Sequence, residues 1–192
     1  MKKILIIDSA YTLEFIRKRK LENFIISRDN DKFFQHVWTV HPVDDIFDEV
    51  EKNIDYGKIT THKINNYHTY VRGKIRRYFF FENYKIINFI ISQIYLIFFL
   101  KNLIKINKID LIRSEDALYN GLLAFILSKI IFKKKLIICV FGNPDKIRKE
   151  NNKPLMPKLF KFIFVEKIIE KFVLKRADMI IVQNKDNKNF VK

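Results

Sequence analysis

The chain has 192 residues, 48% hydrophobic and 30% charged, which is typical of a globular domain with a buried core and excludes a disordered segment. Lys and Arg number 37 against 21 acidic residues, a net charge of +16, which favours an anionic partner such as nucleic acid, anionic lipid or a phosphate-bearing ligand. An AT-rich genome also enriches Lys, Asn and Ile, so codon bias is an alternative source of part of this charge.

Short apolar runs alternate with helix-like segments along the whole chain. In chain order, the runs that predict buried strands are Ile4–Ile7, Val37–Val40, the weaker Lys58–Ile64, Ile109–Ile112, Leu136–Phe141 and Met179–Val182. The predicted helices are Thr12–Ser27, Asp44–Asn53, Val71–Asn107 with a break near Phe81–Tyr84, Ala117–Phe132, Leu155–Lys175 and a last helix that begins near Asp186. The alternation predicts an α/β fold: a doubly wound, mostly parallel, Rossmann-like sheet of about six strands with helices on both faces, in one domain spanning residues 1–192.

Three features bear on the compartment. The single cysteine, Cys139, cannot form an internal disulfide and is predicted to be a buried core residue, which fits a reducing cytoplasm. The start, MKKILIID, does not match a signal peptide because Asp8 interrupts its apolar run. The most membrane-like stretch, Ile86–Leu100, is shorter than the roughly 20 residues that a span needs, so it predicts a buried helix, with an interfacial helix as the alternative.

Polar residues follow five of the six predicted strands, and the carboxyl ends of such strands are where ligands bind in this fold class. In chain order the residues at these strand ends include Asp8, Ser9, Ala10 and Tyr11; His41 and Asp44; Arg113, Ser114, Glu115 and Asp116; Asn143, Asp145 and Arg148; and Gln183 and Asn184. Free helix N-termini at the same edge suit a phosphate. A structural alternative stays open for each: Ser114 or Asp116 can cap the following helix, and Gly142-Asn143-Pro144 is a turn by composition.

Several sites are excluded. The first turn, DSAYTL, has no glycine and is not a dinucleotide-binding loop, and neither a P-loop nor a G-x-S-x-G elbow is present. No Cys/His cluster has metal-ligand spacing. The stretches FIRKRKLENF and VRGKIRRYFFF mix cations with aromatics, which suits nucleic acid, anionic lipid or a solvated helix face. Because no RNA-binding motif is present, nucleic acid is the least favoured partner.

Four segments carry a family resemblance: KIDLIRSEDALYNGLLAFILSKIIFKKKLIICVFGN, FGNPDKIRKE, VEKIIEKFVLKRADMIIVQNKDNKNFV and FIRKRKLENF with VWTVHP. Together they resemble the N-terminal, acceptor-side domain of family 4 glycosyltransferases with the two-domain GT-B fold, and the Arg-Ala-Asp turn before an apolar strand is the most specific piece. The resemblance implies transfer of a sugar from a nucleotide-sugar co-substrate to a sugar, lipid-linked or polysaccharide acceptor, with retention and with neither a metal nor another cofactor.

The resemblance also implies roles for individual residues, while it assigns no catalytic residue to this chain. The implied acceptor-binding residues are Ser114, Glu115, Asp116, Asn120, Asn143, Asp145 and Arg148. The residues implied to border the donor phosphates and the cleft between the domains are Ser9, Ala10, Tyr11, Gln183 and Asn184.

The chain ends at Lys192, where the family's donor-binding domain would begin. We therefore expect a second Rossmann-like domain to act in cis or in trans, and the chain by itself to be inactive. The expected location is the cytoplasm, peripheral on the inner membrane. The alternative is a non-catalytic module that engages a partner protein or an anionic membrane through its basic helices.

Overall fold

The computed structural model describes residues 2–22, 33–44, 58–75, 84–157 and 159–191. They fall into two compact units, Met1–Leu111 and Ile112–Lys192, which are described separately below. Within the described residues there are seven strands, mostly parallel and interleaved with helices. The predicted α/β, Rossmann-like fold with a mostly parallel sheet is confirmed.

The first unit has four strands in the order β3-β4-β2-β1. Its elements are β1 (Lys2–Ile7), α1 (Leu13–Lys18), β2 (Phe34–His41), β3 (Thr60–Asn65), β4 (His68–Arg72) and α2 (Lys85–Asn107). β2 pairs in parallel with both β1 and β4, whereas β3 pairs antiparallel with β4. Among the described residues of its core, Ile4, Ile6, Phe34 and Val37 form one cluster, and Leu13 and Ile16 of α1 form another with Tyr70.

β4 was not predicted, because its last two residues, Val71 and Arg72, open the predicted helix Val71–Asn107 and its first three belong to no predicted element. Each residue of β4 has a partner in β2, from Val37 opposite His68 to His41 opposite Arg72. Long-range pairing therefore outweighs the local helix pattern. The helix itself, α2, begins only at Lys85, and residues 76–83 lie outside the described part of the chain.

The first helix is shorter than the predicted Thr12–Ser27. The hydroxyl of Thr12 accepts the Phe15 N–H at 3.2 Å and caps the N-terminus of α1. The helix ends at Lys18, since Lys20 adopts a left-handed backbone with φ 53° and Leu21 N–H donates to the Ile16 carbonyl at 2.9 Å. Residues 23–27 of that prediction and 45–53 of the predicted Asp44–Asn53 helix lie outside the described residues.

α2 differs from the predicted fully buried helix. Leu96, Leu100 and Ile104 are buried, whereas a row of isoleucines and aromatics on the other side is exposed. By length and composition the segment from Ile86 to Asn107 could cross a membrane, with 28% of its most apolar window buried in the protein. The burial prediction therefore holds for one face of the helix only.

The second unit has three strands in the order β5-β6-β7. Its elements are β5 (Leu111–Ser114), α3 (Tyr119–Phe125) with a π-helical extension (Ile126–Ile131), β6 (Lys135–Val140), α4 (Pro144–Asn151), α5 (Ile163–Leu174), β7 (Met179–Val182) and α6 (Lys185–Val191). β6 and β7 are parallel, and Asn187 of α6 donates to the Val140 carbonyl at 2.9 Å. Cys139 is fully buried in β6, as predicted.

Two predicted helices begin later than expected. Ala117–Phe132 starts at Tyr119 and ends in the π-helical turns, where Phe132 N–H donates to the Leu127 carbonyl at 3.2 Å. Leu155–Lys175 starts at Ile163. The preceding helix, α4, was missed; Asn143 caps it by accepting the Lys146 N–H at 3.1 Å, and Pro144 occupies its first turn.

Candidate functional site

The first unit gathers polar side chains at the carboxyl ends of three parallel strands. Asp8 follows β1, His41 ends β2 and Arg72 ends β4, and all three side chains are buried. Because these strands run in the same direction, their carboxyl ends share one edge of the sheet. Asp8 and His41 were predicted at this edge, whereas Arg72 was not, because that residue was assigned to a helix.

Arg72 holds this edge together through two carboxylates. Its Nε forms a close ion pair with the buried Asp44, and its Nη2 donates to Glu14 at 3.0 Å. Asp44 also accepts the Leu13 N–H at 3.3 Å, which ties the start of α1 to the end of β2. Burial by itself would lower the pKa of Arg72, but Asp44 and Glu14 outweigh it and the pKa lies above its ordinary value.

His41 is held neutral at this edge. Burial lowers the pKa of His41 to about 4, and the carboxylate of Asp8 only partly opposes this effect. The ring Nδ1 accepts the Val43 N–H at 3.3 Å, so that nitrogen is unprotonated. At neutral pH the ring is therefore an uncharged hydrogen-bonding group among charged neighbours.

The predicted donor-side residues Ser9, Ala10 and Tyr11 follow β1. Ala10 N–H donates to the Asp8 carboxylate at 2.8 Å, and the Tyr11 carbonyl accepts the hydroxyl of Tyr70 at 2.9 Å. Ser9 and Ala10 line an open cleft of about 600 Å³. The rest of its lining is Thr12, Glu14, Phe15, Arg17 and Lys18. The cleft therefore combines the first loop with the cations of α1.

A cavity of about 180 Å³ lies at the carboxyl ends of β5 and β6 in the second unit. Glu115 and Asp116 line it on the β5 side, and Gly142 and Pro144 line it on the β6 side. The remaining lining is mainly apolar: Ala117, Leu118, Cys139, Val140, Phe141, Ile147, Leu155 and Phe190, with Glu170. The structure thus brings two of the predicted acceptor-binding residues to one cavity, while Asn143 and Arg148 do not line it.

Asp116 organises the loop between β5 and α3. Its carboxylate accepts the Leu118 N–H at 2.7 Å and the side-chain amide of the buried Asn120, and its carbonyl accepts the Ser114 hydroxyl at 2.7 Å. The predicted capping role is therefore correct in part, because Asp116 satisfies a backbone N–H before the helix although the N-cap position itself is Leu118. These bonds fix the direction of the carboxylate beside the cavity.

Glu115 was expected to be free to bind acceptor hydroxyls. It lines the cavity, but it is already engaged in an ion pair. The carboxylate pairs with Arg113 of β5 at 2.9 Å, and its side chain is only 8% exposed. Burial would lower the pKa of Arg113, but Glu115 and Cys139 raise it above its ordinary value. Arg113 is thus the neighbour that holds Glu115 against the cavity wall.

Arg148 is buried in an ion-pair network and does not reach the cavity. Its guanidinium donates to Glu166 at 2.9 Å, to Glu170 at 2.5 Å and to Asp145 at 3.3 Å. Glu166 further accepts the backbone N–H groups of Leu155 and Met156. The predicted acceptor role of Arg148 is therefore corrected to a structural one, which joins α4 to α5.

Two missed residues, Glu166 and Glu170, left a weak signal in the sequence. They are four residues apart in VEKIIEKF and so share one helix face, where each interrupts a run of apolar residues. Acidic residues directed into a core need a cationic partner. That requirement could have suggested a nearby arginine.

The remaining predicted residues lie at other places in the second unit. Asp145 is half-exposed and pairs with Lys167 at 3.1 Å, beside a separate cavity of about 370 Å³ lined also by Lys171 and Lys175. Gln183 and Asn184 follow β7 and are exposed, and the Asn184 side chain accepts the Asn187 N–H at 2.9 Å. Neither is among the residues that line the smaller cavity.

The Arg-Ala-Asp turn, the most specific piece of the resemblance, has a structural role. The Asp178 carboxylate accepts the Leu136 N–H at 2.7 Å and pairs closely with Lys129. The Arg176 guanidinium lies 3.8 Å from the centre of the Phe172 ring. The turn thus positions the start of β6. Across the described residues, no group of three or more His, Cys, Asp or Glu side chains could hold a metal ion.

Comparison with known proteins supports the fold. No family model and no curated protein matches the sequence. Among solved structures, sucrose-phosphate synthase from Thermosynechococcus elongatus is similar over 100% of this chain and 44% of its own, with a TM-score of 0.55 and 14% identity. A shorter chain of the same synthase is similar over 100% of this chain and 81% of its own, with a TM-score of 0.52 and 15% identity. This chain thus spans less than half of the longer synthase chain.

Proposed function

We propose that this chain is the acceptor-binding half of a glycosyltransferase that moves a sugar from a nucleotide-sugar to a lipid-linked or polysaccharide acceptor. The observation that carries the proposal is the cavity at the carboxyl ends of β5 and β6, which Glu115, Asp116 and Gly142 line together. The fold shared with sucrose-phosphate synthase, a GT-B glycosyltransferase, supports it. Retention, independence of metal and a cytoplasmic location are parts of the same proposal.

Asp116 is the proposed contact for an acceptor hydroxyl. An ionised carboxylate has about four acceptor positions, so it can bind an acceptor hydroxyl as well as N–H donors of its own loop. Those internal bonds pre-orient the carboxylate, which lowers the entropy lost when the acceptor binds. Glu115, held by Arg113, supplies a second acidic wall, and the apolar lining suits the faces of a sugar ring or the start of a lipid chain.

Donor binding is proposed to need a second Rossmann-like domain, in cis or in trans. The structural neighbour that is more than twice as long as this chain motivates this part of the proposal. In the first unit, Ser9 and Ala10 would border the donor phosphates beside the cations of α1. Gln183 and Asn184 are proposed for the corresponding edge of the second unit.

The test combines the full chain with a donor-binding domain and measures transfer from a set of labelled nucleotide-sugars to a lipid and polysaccharide extract. Asp116→Asn removes the charge and is expected to lower kcat/KM about 10- to 100-fold, the value of a hydrogen bond to a charged group. The matched control is Glu150→Gln, which removes an exposed carboxylate of α4. Equal activity of Asp116→Asn and the wild type in an active combination would refute the assigned site.

A second candidate is a non-catalytic binding module. It is favoured by one observation: two of the residues expected to bind an acceptor, Glu115 and Arg148, are held in ion pairs. Under this alternative no donor domain restores transfer, and the chain is retained by a protein partner in the absence of any nucleotide-sugar.

A further inference from the structure

The helix α2 presents an unusual distribution of side chains. Its buried side carries Asn88, Ser92 and Gln93 as well as leucines, and Gln93 donates to the Pro42 carbonyl at 3.5 Å. Its exposed side carries large apolar residues. A helix on the surface of a water-soluble domain normally has the opposite arrangement, with polar side chains outward.

Six of the exposed residues form a row along the helix, which we call the α2 stripe. It consists of Ile87, Ile90, Ile94 and Phe98, followed by Lys101 and Lys105. Successive members are three or four residues apart, so they lie along one face. Exposure is 37% for Ile87, 51% for Ile90, 46% for Ile94 and 58% for Phe98. The apolar part of the stripe is about 16 Å long at roughly 1.5 Å per residue.

More apolar surface flanks the stripe. Ile86 is 71% exposed, Tyr95 is 57% exposed, and Tyr84, just before the helix, is 61% exposed. Tyrosines prefer the boundary between an apolar layer and water, because an apolar ring ends in a polar hydroxyl. Contiguous exposed apolar surface of this kind marks a docking surface rather than ordinary scatter.

The charge of α2 identifies the partner. The helix contains no acidic residue in 23 positions, and its exposed cations, Lys101 and Lys105, continue the apolar row toward the C-terminal end. A second copy of the chain would offer the same basic face, with no carboxylate to neutralise these lysines. A layer of anionic phospholipid offers both parts of the complement: acyl chains for the apolar side chains and phosphates for the lysines.

We propose that the α2 stripe docks this chain on an anionic phospholipid surface, with the helix lying in the plane of the interface. The buried face of α2 belongs to the core of the first unit, through Leu96, Leu100 and Ile104, so only the exposed face is offered to lipid. The basic stretches that first suggested a membrane are residues 15–24, which overlap the end of α1, and residues 71–81. Residues 23–24 and 76–81 of these stretches are outside the described part of the chain. The stripe is therefore a separate surface.

The experiment is vesicle sedimentation of the full chain, with neither sugar nor nucleotide present, so its outcome is independent of the proposed transfer reaction. One set of vesicles contains phosphatidylcholine and phosphatidylglycerol in equal parts, and the other contains phosphatidylcholine alone. The wild type is expected to sediment with the anionic vesicles and at least about tenfold less with the neutral ones, and added salt is expected to weaken the binding.

The triple variant Ile90→Ser, Ile94→Ser, Phe98→Ser is expected to lose at least about tenfold in binding, since apolar area is removed from the contact. The pair Lys101→Gln, Lys105→Gln should lose binding to anionic vesicles while its thermal unfolding stays unchanged. The matched control replaces three comparably exposed apolar residues of the second unit, Phe162→Ser, Phe164→Ser and Ile168→Ser, and should bind as the wild type does.

The proposal is overturned if the wild type stays in the supernatant with anionic vesicles, or if both α2 variants sediment as the wild type does. It is also overturned if the control triple loses as much binding as the α2 triple. A different outcome would assign the stripe to a second copy of the chain. In that case the wild type does not bind vesicles and is a dimer in sedimentation velocity, whereas the α2 triple variant is a monomer.

Discussion

The guanidinium of Arg148 donates to the carboxylate of Glu170 at 2.5 Å, and both side chains are almost completely buried. Burial raises the pKa of Glu170, whereas burial would lower that of Arg148 and is outweighed by the hydrogen bonds to Glu170 and Glu166. Arg148 stays charged, and its hydrogen bond and charge favour the ionised form of Glu170 against the effect of burial. Arg148 therefore has a structural role in the second unit, where it links α4 to α5.

Arg148→Met keeps most of the volume and removes the charge. It leaves Glu166 and Glu170 buried without a counter-charge, so we expect the free energy of unfolding to fall by about 3–5 kcal/mol. Urea denaturation measures the loss. The control is Lys167→Ala, which removes the half-exposed pair with Asp145 and should cost less than about 1 kcal/mol. Equal losses in the two variants would contradict the network described here.

His41 predicts a pH dependence of stability. Its folded-state pKa of about 4 lies below the ordinary 6.5, so the unfolded chain binds more protons between these values. His41 therefore makes a contribution to the free energy of unfolding that is fully present above pH 6.5 and is lost as the pH falls toward 4. The total loss is about 3 kcal/mol. Urea denaturation from pH 7 to 4 should therefore show a steeper loss for the wild type than for His41→Asn. Parallel curves would show that His41 titrates normally in the folded state.

Gly73 follows β4 and lies against the loop after β2. A Cβ added there would come within 2.4 Å of the Pro42 carbonyl oxygen, and the Gly73 N–H donates to the His41 carbonyl at 2.8 Å. Gly73→Ala is therefore expected to reduce the free energy of unfolding by about 1–3 kcal/mol. Gly142→Ala is the control, since the nearest atom to its Cβ is the flexible end of Ile147 at 3.7 Å. Thermal unfolding measures the stability of the two variants, and an equal change in both would show that the close approach at Gly73 does not limit the side chain there.

Asp178 connects the Arg-Ala-Asp turn to β6. Asp178→Ala leaves the N–H of the fully buried Leu136 without its acceptor, so we expect a loss of about 1–3 kcal/mol in the free energy of unfolding. Lys135→Gln removes only an exposed pair with the same carboxylate at 3.6 Å and should change stability by less than about 0.5 kcal/mol. Hydrogen exchange at Leu136 would report the lost bond directly, and unchanged protection would argue against this role.

Much of the fold could be predicted because buried parallel strands leave a plain pattern. Met179–Val182 was predicted with its observed ends, and the weak Lys58–Ile64 run corresponds to β3, Thr60–Asn65. β4 could not be found in this way, because its five residues are defined by partners in β2 and β3 and not by a local period. The N-terminus of α5 was also misplaced, since Glu166 engages the backbone of Leu155 and Met156 in the turn before it.

The acceptor site was predicted from the residues that follow the strands, and only some of those residues line one cavity. Glu115 and Asp116 reach the cavity that Gly142 also lines, as their positions after β5 and β6 suggested. Arg148 was assigned to the same site from its position after Asn143. Its actual partners, Glu166 and Glu170, are 18 and 22 residues away in the chain, and their spacing indicates a need for some cationic partner without identifying Arg148 as that partner.

The sequence by itself determined the α/β class, the apolar strands and the polar residues that follow them, because these depend on the local alternation of apolar and polar side chains. Only the tertiary structure decided which charges pair and which face of α2 is buried, since both depend on packing between segments far apart in the chain. An apolar helical sequence is equally compatible with burial in the protein core and with exposure on an apolar surface. The inward Gln93 and the outward Phe98 distinguish the two in this protein.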